Sequence, residues 1–204
     1  MIKNLFPSPI YCAPLASQGL KKLNAELREE SLKFSQIDEA GQKWSEKNYR
    51  GGYTSYGSIA HLHQVSSTFE ELQRHLDRHV RKYIQHLEMD VDPRQIQMRT
   101  CWINIMPAGA QHTMHIHPLS VISGTYYVQT PKNCSSIKFE DPRLVGFMAS
   151  PPRKARAQER NQRFVELKPE AGSLVLFESW MRHEVPQNQT PSERISISFN
   201  YDWM

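Results

Sequence analysis

Cysteine is scarce. Cys12, Cys101 and Cys134 are the only three in 204 residues, too dispersed and odd in number for a disulfide framework, and none forms a Cys-x-x-Cys metal knuckle. A reducing cytoplasm is the simplest home for such a chain. No apolar run reaches membrane-spanning length, and the opening Met1-Ile-Lys-Asn-Leu-Phe-Pro-Ser-Pro is broken by prolines and lacks an apolar signal core. A soluble protein with no membrane partner is expected. Repeats are absent. Charge of one sign is also in short supply: 25 basic against 21 acidic residues leave a formal +4. That suits anionic small substrates and does not by itself argue for nucleic acid.

The 39% hydrophobic fraction and four Trp are those of an ordinary globular protein, long enough for one well-buried domain. Leu20, Leu23 and Leu27 share helical spacing and place a first helix over about Ser17 to Leu32. Ser67-Thr-Phe-Glu70 reads as a capping box, and Phe69, Leu72, Leu76, Val80, Tyr83 and Leu87 continue it as an apolar stripe to about Met89. The polar stretch between the helices, with Gly51-Gly52, reads as an irregular surface segment. From Gln97 the period becomes alternating, with strands expected over 98–106, 121–129, 136–140, 164–167, 173–177 and 194–201. Helices followed by many short strands indicate an α+β layout: a single domain over 1–204, with 1–96 mainly helical support and 97–204 a jelly-roll core. One biased patch, Pro151–Arg163, has five basic residues against one acid and reads as a mobile loop, either closing over substrate or a spectator.

Nine histidines are present. His75, His79 and His86 flank the apolar stripe of the second helix without a Cys or acidic partner, so a helix boundary accounts for them better than zinc does. His61-Leu-His63 has no following strand or distal histidine and reads as a helix-flanking loop. The run Gln111-His-Thr-Met-His-Ile-His-Pro118 differs. His115 and His117, two apart, share a face if the chain is extended, a strand follows them, and His183 stands just beyond another strand. Two imidazoles from one strand and one from a second make a facial metal site with open positions. In Arg194-Ile-Ser-Ile-Ser-Phe-Asn200, Arg194, Ser196, Ser198 and Asn200 alternate with apolar residues, and Arg194 with Ser196 offers a two-point carboxylate grip.

With these residues, the segment from about Trp102 to Tyr201 resembles the Fe(II)/2-oxoglutarate-dependent oxygenases, specifically their small prolyl-hydroxylase-like group with its "HxHP…SGxYYV…FxDPR…GxLVLF…HxV…RxSxSFN" order. The resemblance implies a double-stranded β-helix, Fe(II), and 2-oxoglutarate and O2 used to hydroxylate a C–H bond with release of succinate and CO2. It implies His115 and His183 as iron ligands, and Arg194, Ser196 and Tyr127 around the far carboxylate of 2-oxoglutarate, with Asn104 a further cosubstrate candidate. The family at large has a carboxylate where this chain has His117. Asp141, in Phe139-Glu-Asp-Pro-Arg143, is a rival third ligand or a partner to a ligand imidazole, although strand geometry favours His117. An amino acid, a small metabolite or a protein side chain would be the substrate, with Trp102, Arg143, Arg182 and Trp203 as candidate lining residues. The alternative is a cupin-like metal-binding protein or a dioxygenase that does not use 2-oxoglutarate. Gly109 and His115-x-His117 open like the first cupin motif, but the glutamate expected after them is missing. A third alternative is a barrel that has lost its metal.

Overall fold

The alternation of the C-terminal strand organises the molecule. In β10 (Arg194–Trp203), Ile195, Ile197, Phe199 and Tyr201 are buried on one side while Arg194, Ser196, Ser198 and Asn200 face the other. Such a strand needs an apolar layer beneath one face and a polar space above the other. The computed structural model supplies both; it describes every residue except Ser17, and every side chain in a regular element except that of Phe147.

Antiparallel β3 (Ile96–Met106) and β5 (Ile122–Gln129) flank β10. Beyond β5 come β8 (Ser173–Glu178) and β1 (Tyr11–Pro14), and beyond β3 the short β2 (Tyr53–Thr54), making a six-stranded sheet. A second antiparallel sheet runs β4 (His112–His115), β9 (His183–Val185), β6 (Ile137–Glu140), β7 (Phe164–Leu167). Met106, Tyr127, Val175 and Phe177 of the larger sheet pack against Ile137, Phe139 and Val185 of the smaller. The result is the expected α+β fold, a double-stranded β-helix or jelly roll with helices on one outer face.

Those helices are α1 (Leu20–Ile37) and α4 (Ser67–His86), which lay Leu23, Leu27, Phe69, Leu72, Leu76 and Val80 on the apolar side of β10 and its neighbours. Asn24 ties α1 to β5, its Nδ2 donating to Val128 O at 2.7 Å and its Oδ1 accepting from Tyr126 Oη at 2.8 Å. The proposed Ser17 start of α1 lies outside the described residues. Ser66, not Ser67, caps α4, its Oγ accepting from Phe69 N. His79 of α4 is buried between Tyr11 Oη and Leu15 O at 2.8 and 2.9 Å, a structural histidine.

The segment expected to be irregular is folded. It contains α2 (Glu39–Asn48), β2 and α3 (Leu62–Val65). Asp38 caps α2 by accepting from Gly41 N at 2.9 Å and also accepts from Tyr53 Oη at 2.9 Å and Ser58 Oγ at 2.5 Å. Ser45 Oγ accepts from Thr54 N at 3.0 Å, fastening α2 to β2. Only Gly41 and Ser45 of α2 are buried, so the helix carries no apolar stripe that periodicity could detect. The first 96 residues therefore do more than buttress the sheet: β1 and β2 form its edges.

Gly52 shows how tightly this corner is packed. A Cβ there would stand 2.5 Å from Tyr49 Cε1 and 2.9 Å from Ile105 O. Gly52→Ala must displace the Tyr49 ring or the β3 backbone. The expected cost is about 1–3 kcal/mol, the range for overpacking, read as a lower urea midpoint with an unchanged slope.

Candidate metal and cosubstrate site

His115 and His183 are directly opposed across the β4–β9 pair. β4 ends at His115, so His117 lies just past the strand, ahead of the Pro118–Leu119 turn, a correction to the single-strand reading. Pro118 has no N–H to extend the ladder, and His117 N instead donates to Ser179 O at 3.0 Å. That contact still brings His117 in. One ligand atom from each of His115, His117 and His183 lies within 4.8 Å of the others, with ring centroids 4.3–5.2 Å apart.

Each imidazole is oriented by its far nitrogen. His115 Nδ1 donates to Thr113 O at 2.7 Å, His183 Nδ1 to Met181 O at 2.9 Å, and His117 Nδ1 to Asn200 Oδ1 at 2.5 Å. With Nδ1 carrying the proton, Nε2 of each ring holds the free lone pair, as a metal ligand requires. Ser123 Oγ steadies the third pair by donating to Asn200 Oδ1 at 2.8 Å, and it lies 2.7 Å from Ser179 Oγ. Burial pushes His183 down to about 3, helped by the other imidazoles, and His117 down to about 4 against the opposing effect of its hydrogen bond to Asn200; His115 is lowered too, mainly by burial.

Asp141 stands apart from this cluster. Arg143 donates to it through N and Nε, both at 2.9 Å, and through Nη2 at 2.6 Å, holding its carboxyl below the usual range. Arg182 Nε donates to Glu140 at 2.8 Å, and Trp203 is 63% exposed near the chain end. Trp102 is the one suggested lining residue found at the triad, its ring centroid 5.9 Å from that of His117.

Behind the triad is a chamber of about 50 Å³ that reaches Asn104, Arg194, Ser196 and Ser198. Arg194 is only 2% exposed. Its Nη1 donates to Ser196 Oγ at 3.2 Å and its guanidinium lies 5.0 Å from the Tyr127 ring centroid. No carboxylate pairs with it among the described residues. Arg194 Nε, Tyr127 Oη, Asn104 Oδ1 and Tyr49 Oη are all buried without a hydrogen-bond partner. A second, outer cleft of about 360 Å³ opens on the other side, and both cavities touch Trp102, His112, His115 and His117.

Sequence reasoning missed Tyr49 and His112. Their rings stack at 4.1 Å and 16°, forming a wall beside the triad. Burial, then the charges of His115 and Arg194, push His112 down to about 3. Its place three residues before His115 was the available signal, but a histidine at the start of a bulged strand has no partner at the alternating spacing.

Residues 100–200 match the model of a family described as putative 2OG-Fe(II) oxygenase. The jelly-roll half of the chain belongs to that family. Over that half the chain is a 2-oxoglutarate-dependent Fe(II) oxygenase by family. No curated protein matches the sequence. Three solved structures share the fold over nearly the whole chain. A prolyl-4-hydroxylase of Pseudomonas putida is 16% identical with a TM-score of 0.65, over 97% of this chain and 94% of that one. The non-heme alpha-ketoglutarate-dependent epimerase SnoN from nogalamycin biosynthesis is 14% identical with a TM-score of 0.68, over 96% and 76%. HygX from Streptomyces hygroscopicus, solved with nickel and 2-oxoglutarate, is 12% identical with a TM-score of 0.64, over 97% and 84%.

Imidazoles buried in neutral form bind more protons once the chain unfolds, where their pKa returns to about 6.5. Metal-free protein is therefore expected to lose stability as pH falls from about 6.5 toward 4, with His112, His117 and His183 contributing most within that window. Thermal unfolding across that range is the check. The slope should shrink in the His183→Phe protein, and an unchanged slope there would remove His183 as a source.

Proposed function

We propose that this oxygenase hydroxylates a C–H bond of a small molecule or a peptide side chain, acting as a single cytoplasmic domain with Fe(II) held by His115, His117 and His183. The observation that carries the reading is the buried Arg194, a guanidinium with no carboxylate of its own and with orphaned polar atoms beside it. Burying an unpaired charge is costly, so a site that keeps one is built for an incoming anion.

Both groups fit. Three imidazoles with Nδ1 engaged offer three converging Nε2 lone pairs, a set that suits Fe(II) and leaves positions open. A dicarboxylate suits Arg194, whose fork grips the far carboxylate while Ser196 Oγ and Tyr127 Oη donate from the same wall. Asn104 borders that chamber, with its Nδ2 donating to Ser198 Oγ at 3.0 Å. When bound, iron and 2-oxoglutarate together supply the oxidising power that splits O2, one oxygen atom entering the substrate C–H bond and the other appearing in succinate as CO2 leaves. Because His117 replaces a carboxylate, the protein ligands bring no negative charge, and the cosubstrate must balance the metal. Phe177, Phe139 and Trp102 keep the surroundings of the triad apolar and limit water. A cupin-like metal protein would leave Arg194 without a role.

His115→Ala and His183→Ala should each abolish stoichiometric iron binding in equilibrium dialysis, while His117→Asp retains the metal. Asp141→Asn should also keep it, since Arg143 occupies that carboxylate; loss of iron there would restore Asp141 as the third ligand. Arg194→Lys keeps the charge and loses the fork, and should weaken 2-oxoglutarate binding by about 1–3 kcal/mol. Undiminished 2-oxoglutarate affinity in Arg194→Ala would sink the whole reading. Succinate release by the iron-loaded wild type in the absence of added substrate is the first assay to run.

A further inference from the structure

The two cavities that meet at the triad differ in charge. Among the described residues lining them, Arg194 is the only Lys or Arg, it lines the inner chamber, and no Asp or Glu lines either. The outer cleft is instead walled by rings. Trp44 and Tyr56 lie 6.1 Å apart at 67°, Tyr56 and Trp102 5.1 Å apart at 61°, and Trp102 reaches His117 at 5.9 Å. This edge-to-face series leads from Tyr56, 52% exposed at the rim, to the metal position. Gly57 makes room for it, since a Cβ there would stand 2.2 Å from Trp44 Cγ.

Polar groups in the cleft are all neutral. Asn48 donates its Nδ2 to Trp44 O at 2.9 Å, which leaves its carbonyl available, and Gln111 can both donate and accept. An ammonium group entering here would find no carboxylate. A carboxylate or phosphate would find no Lys or Arg short of Arg194, whose chamber the cosubstrate fills, and the metal's charge is already balanced by that cosubstrate. Either charge would be desolvated without compensation. Flat or saturated ring faces, by contrast, gain contact along three aromatic walls, and a volume of about 360 Å³ lies within the small-molecule range.

We propose that the outer cleft admits an uncharged, ring-bearing small molecule, selected by Trp44, Tyr56 and Trp102, and that zwitterionic amino acids and phosphorylated metabolites are excluded. This rests on the iron and 2-oxoglutarate reading above for which side of the triad each molecule enters.

Three near-isosteric probes test it: cyclohexanecarboxamide, cyclohexanecarboxylate and cyclohexylmethylammonium. Their binding to the protein loaded with Fe(II) and 2-oxoglutarate is measured by calorimetry without oxygen. The carboxamide should bind at least tenfold more tightly than either charged probe. Tyr56→Ala, at a half-exposed position, should weaken it severalfold and leave 2-oxoglutarate affinity unchanged, while Tyr56→Phe restores it. A charged probe binding as tightly as the carboxamide, no binding by any probe, or an unaltered carboxamide affinity in Tyr56→Ala would overturn the proposal. If the wild type takes up neither iron nor 2-oxoglutarate, the functional reading fails separately. The ranking on metal-free Arg194→Ala protein, in which the inner chamber no longer attracts carboxylates, then still decides the cleft.

Discussion

A guanidinium buried without a carboxylate is the constraint around which this molecule is arranged. Arg194 opens β10, the central strand, and the opposite face of that strand is committed to Ile195, Ile197, Phe199 and Tyr201 beneath the helices. A one-residue slip would exchange the two faces and bury Arg194 under α1 and α4, so the core itself fixes where the charge must point. Tyr127 offers its ring face and Ser196 its hydroxyl, partial compensation for a full charge. The remainder is left for a ligand. Whatever anion completes the site stabilises the fold in proportion to its concentration over its dissociation constant.

Legibility followed periodicity. β10, β5 and β8 stand out because each buries at least one continuous face, and β7 matches its expected bounds because its flanks are polar. The cluster was visible as well, but for a reason that needed amending: His117 comes in just past the end of β4, held by Ser179, whereas the spacing argument had placed it on the strand with His115. What remained hidden lies where small or polar residues do the packing. α2 buries only a glycine and a serine, and β4 and β9 are four and three residues long. The cap of α4 falls one residue early because Ser66 and Ser67 are chemically equivalent candidates, and Glu30 accepts from Ser66 Oγ at 2.6 Å. Tertiary context made that choice.

The hidden segment proves to be the one that closes the site. Asp38 and Ser45 hold α2 against β2, β2 pairs with β3 beside Asn104, and this places Tyr49 over His112 and Trp44 near Tyr56. Without α2 and β2 the triad would have its ligands and its anion grip but an open outer side. A jelly roll with bare loops would expose the proposed metal position to water. The N-terminal half thus contributes an aromatic wall as well as support, which is why Gly52 and Gly57 occur in the stretch that looked least structured.

The replacement of a carboxylate by His117 also explains the residue that ends the alternating run. A carboxylate ligand needs donors around it, whereas an imidazole needs one acceptor for Nδ1–H. His115 and His183 find that acceptor in the backbone two residues earlier, at Thr113 and Met181. His117 has already left the strand, and its acceptor is a side chain, Asn200, steadied by Ser123. An amide can present either its oxygen or its NH2 to the same neighbour. Asn200 can therefore serve an imidazole as acceptor and, with its amide turned over, a carboxylate as donor. The asparagine at the end of Arg194–Asn200 would make the proposed third ligand position tolerant of both ligand types, while the two backbone acceptors would hold the other two positions to histidine.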